Sequence, residues 1–263
     1  MYNSKIIIYG EIMSNSVFIS GSISIKSLPT LVKESLKTMM AKSLTIFVGD
    51  APGIDTLIQD LCSEHNYFNV IIYTITSSPR YIANQKFNFK HIFVDQIIKK
   101  ERERQGYKDR AMTDDSDYSL VIWDGSSKGS YSNILRSLKQ NKPVKVYCTS
   151  IQEYLPSEQV TELDITFIYR ENNGYTASEV VEYLQNNGIE RFKRSQDLNK
   201  FLLAENLLVK EDKVYEPTSK KPDLFIVESY RGKASGVKFN NNFIDWIEEV
   251  SSAVETEQPS LFD

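Results

Sequence analysis

Three short glycine turns, each directly after a run with strand character, constrain this chain more than any other feature. Residues 17–22 read VFISGS, residues 46–55 IFVGDAPGID and residues 121–133 VIWDGSSKGSYSN. A glycine at the end of a buried strand lets the main chain approach another group closely, and the helix that follows offers free N–H groups and its positive dipole end to an anion. In open parallel sheets, ligands sit outside the carboxyl ends of the strands. Three such turns therefore predict a pocket for a phosphate-bearing molecule at one sheet edge.

The first half alternates strand and helix. Strand character falls at residues 16–20, 44–48, 69–75, 120–123 and 143–148. Helical spacing falls at 29–40, 54–64, 95–105 and 130–140, the second with an apolar face of Ile54, Leu57, Ile58, Leu61 and Cys62. This alternation predicts an α/β fold, a Rossmann-like parallel sheet with helices on both faces. The stretch 75–91 reads as a long loop holding Arg80, Asn84 and Lys86, and long loops in compact domains are often functional.

Charge is divided unevenly. Residues 1–150 carry 19 Lys+Arg against 14 Asp+Glu, whereas 151–263 carry 12 against 21. A basic first half suits an anionic ligand, and the acidic second half argues against broad phosphate binding there. No run approaches the roughly 18 apolar residues of a membrane span, and the apolar patch at 6–9 lacks signal-peptide architecture. Cys62 and Cys148 read as buried free thiols. With two histidines and no Cys/His cluster, no metal site is expected, no cofactor is implied and a cytoplasmic location is.

Each turn has its own chemistry. Gly21 and Ser22 end the first strand, where an N–H and a hydroxyl can hold a phosphate or ribose oxygen. In the second turn, which also carries Gly49 and Asp50, Pro52 stiffens the loop and Gly53 permits close approach. Asp55 enters the helix near its N-terminus, either to cap N–H groups or to accept a ribose hydroxyl. In the third, Asp124 ends a strand and Gly125–Gly129 form the loop, after which Gly129, Ser130 and Asn133 open a helix as an anion nest beside Lys128.

These motifs, with KDRAM at 108–112 between them, occur in an order that resembles the SLOG superfamily of Rossmann-like domains, over residues 15–150. That group includes DprA, the LOG phosphoribohydrolases and nucleotide-sensing domains of bacterial defence proteins. The resemblance implies a nucleotide or nucleotide-derived ligand, with Asp109 and Arg110 beside it, Arg110 as a bidentate phosphate partner. LOG hydrolases carry PGGxGTxxE, whose glutamate helps to split an N-glycosidic bond. Asn133 stands at that position here and the double glycine is absent, which disfavours a LOG-type hydrolase, since asparagine is no general acid or base. Asp55 or Asp124 remains as a substitute carboxylate. A DprA-like single-strand DNA binder is the alternative reading, and a homo-oligomer is compatible with either.

Residues 151–172 read as a connector with one strand at 165–169. Beyond it, at 173–254, helices at 176–184 and 195–205, a hairpin at 207–217, a strand at 224–228 and a helix at 241–254 follow a winged-helix order. Thr176 with Glu179 three residues on has capping-box spacing. The string LNKFLLAENLLVKEDKVYEPTSK resembles winged-helix modules of phage antirepressors, which implies DNA contacts by Arg191, Lys193, Arg194 and Lys200 at the second helix. Residues 255–263 read as a flexible tail. QPSLF within it resembles the bacterial sliding-clamp-binding pentapeptide, with Gln258, Ser260, Leu261 and Phe262 as the clamp-binding residues.

Overall fold

The computed structural model describes residues 15–256; the apolar patch at 6–9 and the clamp-like residues Gln258, Ser260, Leu261 and Phe262 lie outside the described residues. The chain divides into two compact units, Met1–Ile165 and Thr166–Asp263.

The first unit runs β1 (Ser16–Gly21), α1 (Thr30–Ala41), β2 (Thr45–Val48), α2 (Ile54–Glu64), β3 (Val70–Thr74), β4 (Asn88–His91), α3 (Glu101–Asp115), β5 (Tyr118–Trp123), α4 (Lys128–Lys139), β6 (Val144–Cys148) and β7 (Glu153–Tyr154). The seven strands form one sheet in the order β4-β3-β2-β1-β5-β6-β7. All neighbours pair in parallel except β6 with β7. The chain leaves β1 toward β2 and leaves β5 toward β6, so the order reverses between two adjacent central strands. In this Rossmann-like architecture, such a switch point opens a crevice at the carboxyl ends.

Strand alternation assigns the two faces. Val17 and Ile19 of β1 face a core shared with Val32 and Leu36 of α1 and with Ile54, Ile58 and Cys62 of α2. Phe18 points the other way, packing with Phe47, Tyr73 and Met112 of α3. Both cysteines are buried free thiols.

Several elements differ from the expectation, among them β7 and a later strand, Lys233–Phe239, which the sequence reading did not mark. Helical structure begins at Glu101 rather than near residue 95 and continues to Asp115. It buries only Lys108, Met112 and Thr113, so its sequence carries little apolar periodicity to mark its ends. The stretch 75–91 contains the edge strand β4, whose four residues are all exposed and leave no alternation to read. Residues 165–169 are helical, within α5 (Glu162–Asn173). Ile165 and Tyr169 are one turn apart and both buried, and Thr161 accepts from the Asp164 N–H at 3.1 Å to cap the helix. Helical burial outweighs the β-branched composition there.

The second unit contains α6 (Ala177–Asn186), α7 (Ser195–Ala204), a hairpin of β8 (Leu208–Glu211) and β9 (Val214–Pro217), a hairpin of β10 (Phe225–Tyr230) and β11 (Lys233–Phe239), and α8 (Asn241–Thr256). Thr176 and Glu179 form the reciprocal capping box that their spacing predicts. Phe225, Phe239 and Phe243 meet in its core, with ring centroids 4.4 Å apart for the last two.

Candidate functional site

The carboxyl ends of β1, β2 and β5 open onto one cavity of about 680 Å³. Seven of the expected residues stand on its wall: Gly21, Pro52, Asp55, Asp109, Gly129, Ser130 and Asn133. The N-terminus of α4 forms one side. The N–H groups of Lys128, Gly129 and Ser130 precede the first intrahelical bond, from Tyr131 N–H to the Ser127 carbonyl. Their partial positive charge, with the Lys128 ammonium, makes this side attractive to an anion.

Other expected residues support the wall from behind. Ser22 is buried, its hydroxyl 3.4 Å from that of Ser130 and accepting from the Asp124 N–H at 3.2 Å. The Asp124 carboxylate shapes the loop instead of facing the cavity. It accepts from Ser24 Oγ at 2.7 Å and from the Ser126 and Ser127 N–H groups. Gly53 caps α2 with φ +89°, and a Cβ there would press on the Ile23 backbone. A Cβ on Gly49 would overlap the Asp55 carboxylate and the Lys108 ammonium, so the bare backbone leaves room for those two charges to meet.

Asp50 is the anchor of this cluster. Its buried carboxylate accepts from Arg80 Nη2 at 2.7 Å, Lys108 Nζ at 3.2 Å and Thr74 Oγ1 at 2.9 Å. Burial alone would raise its pKa, but the Arg80 hydrogen bond and the Lys108 charge outweigh that and hold it well below the usual carboxylate range. Through Asp50, two cations are fixed on the cavity wall, Arg80 and Lys108.

Asp55 behaves in the opposite way. Burial pushes its carboxyl up to about 6, against the pull of Lys108 at 3.9 Å and a hydrogen bond from the Ala51 N–H. The folded chain therefore takes up a proton here between about pH 3.9, the ordinary aspartate value, and about 6. Linkage fixes the sign: this group makes stability fall as pH rises through that window and leaves it flat above. Thermal melts between pH 4 and 7 should show that decline, and Asp55→Asn should flatten it. Identical slopes in both proteins would contradict the assignment.

Arg110 departs from expectation. It is exposed, with its guanidinium over the Tyr107 ring at 5.4 Å, and is not on the wall. On α3, Lys108, Asp109 and Met112 share the inward face, and Arg110 is rotated away from it. Tyr131, next to Ser130, stacks on Trp123 with ring centroids 6.5 Å apart. Of the basic residues expected at α7, Lys193, Arg194 and Lys200 are exposed. Arg191 is committed internally, donating to the Val250 carbonyl at 2.7 Å and lying over Phe201.

Among the wall residues that the motifs did not single out are Ser20, Lys108 and Arg136, and Arg80, which was noted only as part of a loop. Arg136 was legible in principle. Gly129, Ser132, Asn133 and Arg136 follow the i, i+3, i+4, i+7 rule of a single helix face, and all four line the cavity.

No family model matches the chain, and no curated protein matches it significantly. Among solved structures it is similar to the DNA processing protein A of Helicobacter pylori, described for its single-stranded DNA binding mode, at 16% identity and a TM-score of 0.39, covering 73% of this chain and 81% of that one. It is also similar to a molybdenum cofactor binding protein of the phototrophic bacterium Rippkaea orientalis, at 9% identity and a TM-score of 0.40, covering 74% and 98%. Likenesses this distant carry no argument about ligand or activity.

Proposed function

We propose that the first unit binds a nucleotide or nucleotide-derived ligand, as a SLOG-type sensor or processing domain of a protein in DNA metabolism or defence. The observation that carries this reading is the meeting of three strand ends and the α4 N-terminus around one cavity. The α4 amides, Ser130 and Lys128 suit a phosphate. The carboxyl of Asp55 suits a ribose hydroxyl. The exposed Ile23 and the buried Phe18 and Met112 supply apolar wall for a base.

On the same reading the second unit is a winged-helix module, with Lys193, Arg194 and Lys200 as its exposed cations. The tail residues Gln258, Ser260, Leu261 and Phe262 recruit the protein to the sliding clamp. Both assignments rest on the sequence. The acidic second half restricts DNA contact to that local patch.

Asp55 favours a second reading, cleavage or transfer at an N-glycosidic bond. A carboxyl near pKa 6 on a cavity wall is matched to general acid–base work near neutral pH. Calorimetry of the full chain with nucleoside monophosphates tests binding, and base release from the same compounds tests turnover. Saturable heats without base release support the sensor, base release supports the enzyme, and no heat with any nucleotide rejects both.

A further inference from the structure

The inner end of the cavity carries two opposite charges that form no ion pair among the described residues. Arg136 on α4 and Asp109 on α3 both line it, yet among the described residues neither forms an ion pair within 4.0 Å. Asn133 holds them apart. Its Oδ1 accepts from Arg136 Nη1 at 2.8 Å, which also donates to Thr113 Oγ1 at 3.5 Å, and its amide favours the charged form of the Asp109 carboxyl against burial. Burial disfavours the charged form of both groups, lowering the Arg136 pKa and raising that of Asp109. Two opposite charges kept from pairing in a partly dry site cost stability unless a guest completes them.

The surroundings define the guest. Phe18 and Met112, packed in the core, back the wall with apolar side chains. Ser20, 6% exposed on β1 beside Phe18, has a hydroxyl with no hydrogen-bond partner among the described residues. A phosphate would be repelled by Asp109, and a purely apolar group would leave both charges without a partner of opposite character. A planar ring with acceptors on one edge and N–H donors on the next answers both.

Resting on the nucleotide reading above, we propose that this inner end is a base pocket selective for guanine, with Arg136 addressing the O6/N7 edge and the Asp109 carboxylate the N1–H/N2–H edge. Guanidinium is the usual bidentate partner of O6 and N7. Adenine would set its N1 acceptor against the carboxylate and its N6 donor against the guanidinium, both repulsive. Asn133 is then a positioning residue, present because it splays the two readers. A glutamate there would pair with Arg136.

The test is calorimetry of the full chain with GMP and AMP. GMP should bind at least about tenfold more tightly, one good bidentate contact's worth. Arg136→Gln and Asp109→Asn should each erase that preference while leaving AMP affinity unchanged and without lowering the melting temperature. Arg136→Lys guards against misfolding, since it keeps the charge but loses the fork, and should also lose the preference. Equal affinity for GMP and AMP, or an Arg136→Gln variant that weakens both alike, overturns the guanine pocket and leaves the nucleotide reading standing. Absence of binding to either nucleotide overturns both.

Discussion

Replacing Asp50 by alanine will destabilise the sheet unit by about 3–5 kcal/mol, the range for breaking a buried ion pair by removing one partner. The carboxylate is 1% exposed and the Lys108 side chain 3% exposed. Without Asp50, the nearest carboxylate the ammonium keeps among the described residues is Asp55 at 3.9 Å, too far for a hydrogen bond. Arg80, more exposed, swings to solvent and loses its place on the wall. With about 2–4 °C per kcal/mol for a unit of this size, melting should fall by roughly 6–20 °C. Asp50→Ala combined with Lys108→Met should recover part of the loss, because it removes the stranded charge. The pH dependence has a defined sign. The native carboxyl is held low, so its contribution is complete above the unfolded value and is lost as pH falls through the folded one. The single variant should therefore lose less stability on acidification than the parent chain. A melting temperature unchanged by Asp50→Ala would show that the cluster is not an anchor.

The sheet was legible wherever burial and period coincide. In α2, Ile54, Ile58, Leu61 and Cys62 recur on one face, and all are buried. At two of the three strand ends, Gly21 and Gly49, close neighbours leave no room for a side chain. This is seen directly at Gly49, where Asp55 and Lys108 occupy the space a Cβ would need. Elements with little apolar burial were not legible. In α3 the chain turns a lysine, a methionine and a threonine inward, a face that no hydrophobic template detects. In β4 every residue is exposed, and β11, with Lys233, Gly236 and Lys238, pairs with β10 through a register shift at Glu228/Ser229. Pairing between neighbouring strands, not propensity, holds such segments.

The candidate site divides along the same line. Gly21, Pro52, Asp55, Gly129 and Ser130 touch the cavity from turns or from the first turn of the helix that follows, where local chemistry announces them. Lys108 and Arg136 gain their meaning from partners far away in sequence: Lys108 from Asp50, 58 positions distant, and Arg136 from a carboxyl on another helix. Arg110 is the converse case. Adjacent to Asp109 in sequence, it is placed on a different helix face, and only the helix phase separates the two. A charged residue beside a motif is thus informative only once its angular position is known.

The sharpest separation of binding from folding is expected at Gly129. It occupies the first turn of α4, and a Cβ there would meet nothing closer than Ser127 Oγ at 4.0 Å. Valine is accommodated by the backbone and has a better helix propensity than glycine, so Gly129→Val should leave melting within about 2 °C of the parent. Its two methyl groups project into the cavity beside the amides of Lys128, Gly129 and Ser130. An anion seated on those amides would have to withdraw and lose its charge-assisted hydrogen bonds, each worth about 1.5–3 kcal/mol. Losing two should weaken nucleotide binding by at least about a hundredfold. Gly129→Ala, with a single methyl, should fall between. Asp50→Ala lowers stability and binding together, whereas Gly129→Val separates them, because one residue holds the wall and the other is the wall. Nucleotide affinity unaltered in a folded Gly129→Val protein would move the anion away from α4 and remove the reason for placing a ligand at this edge of the sheet.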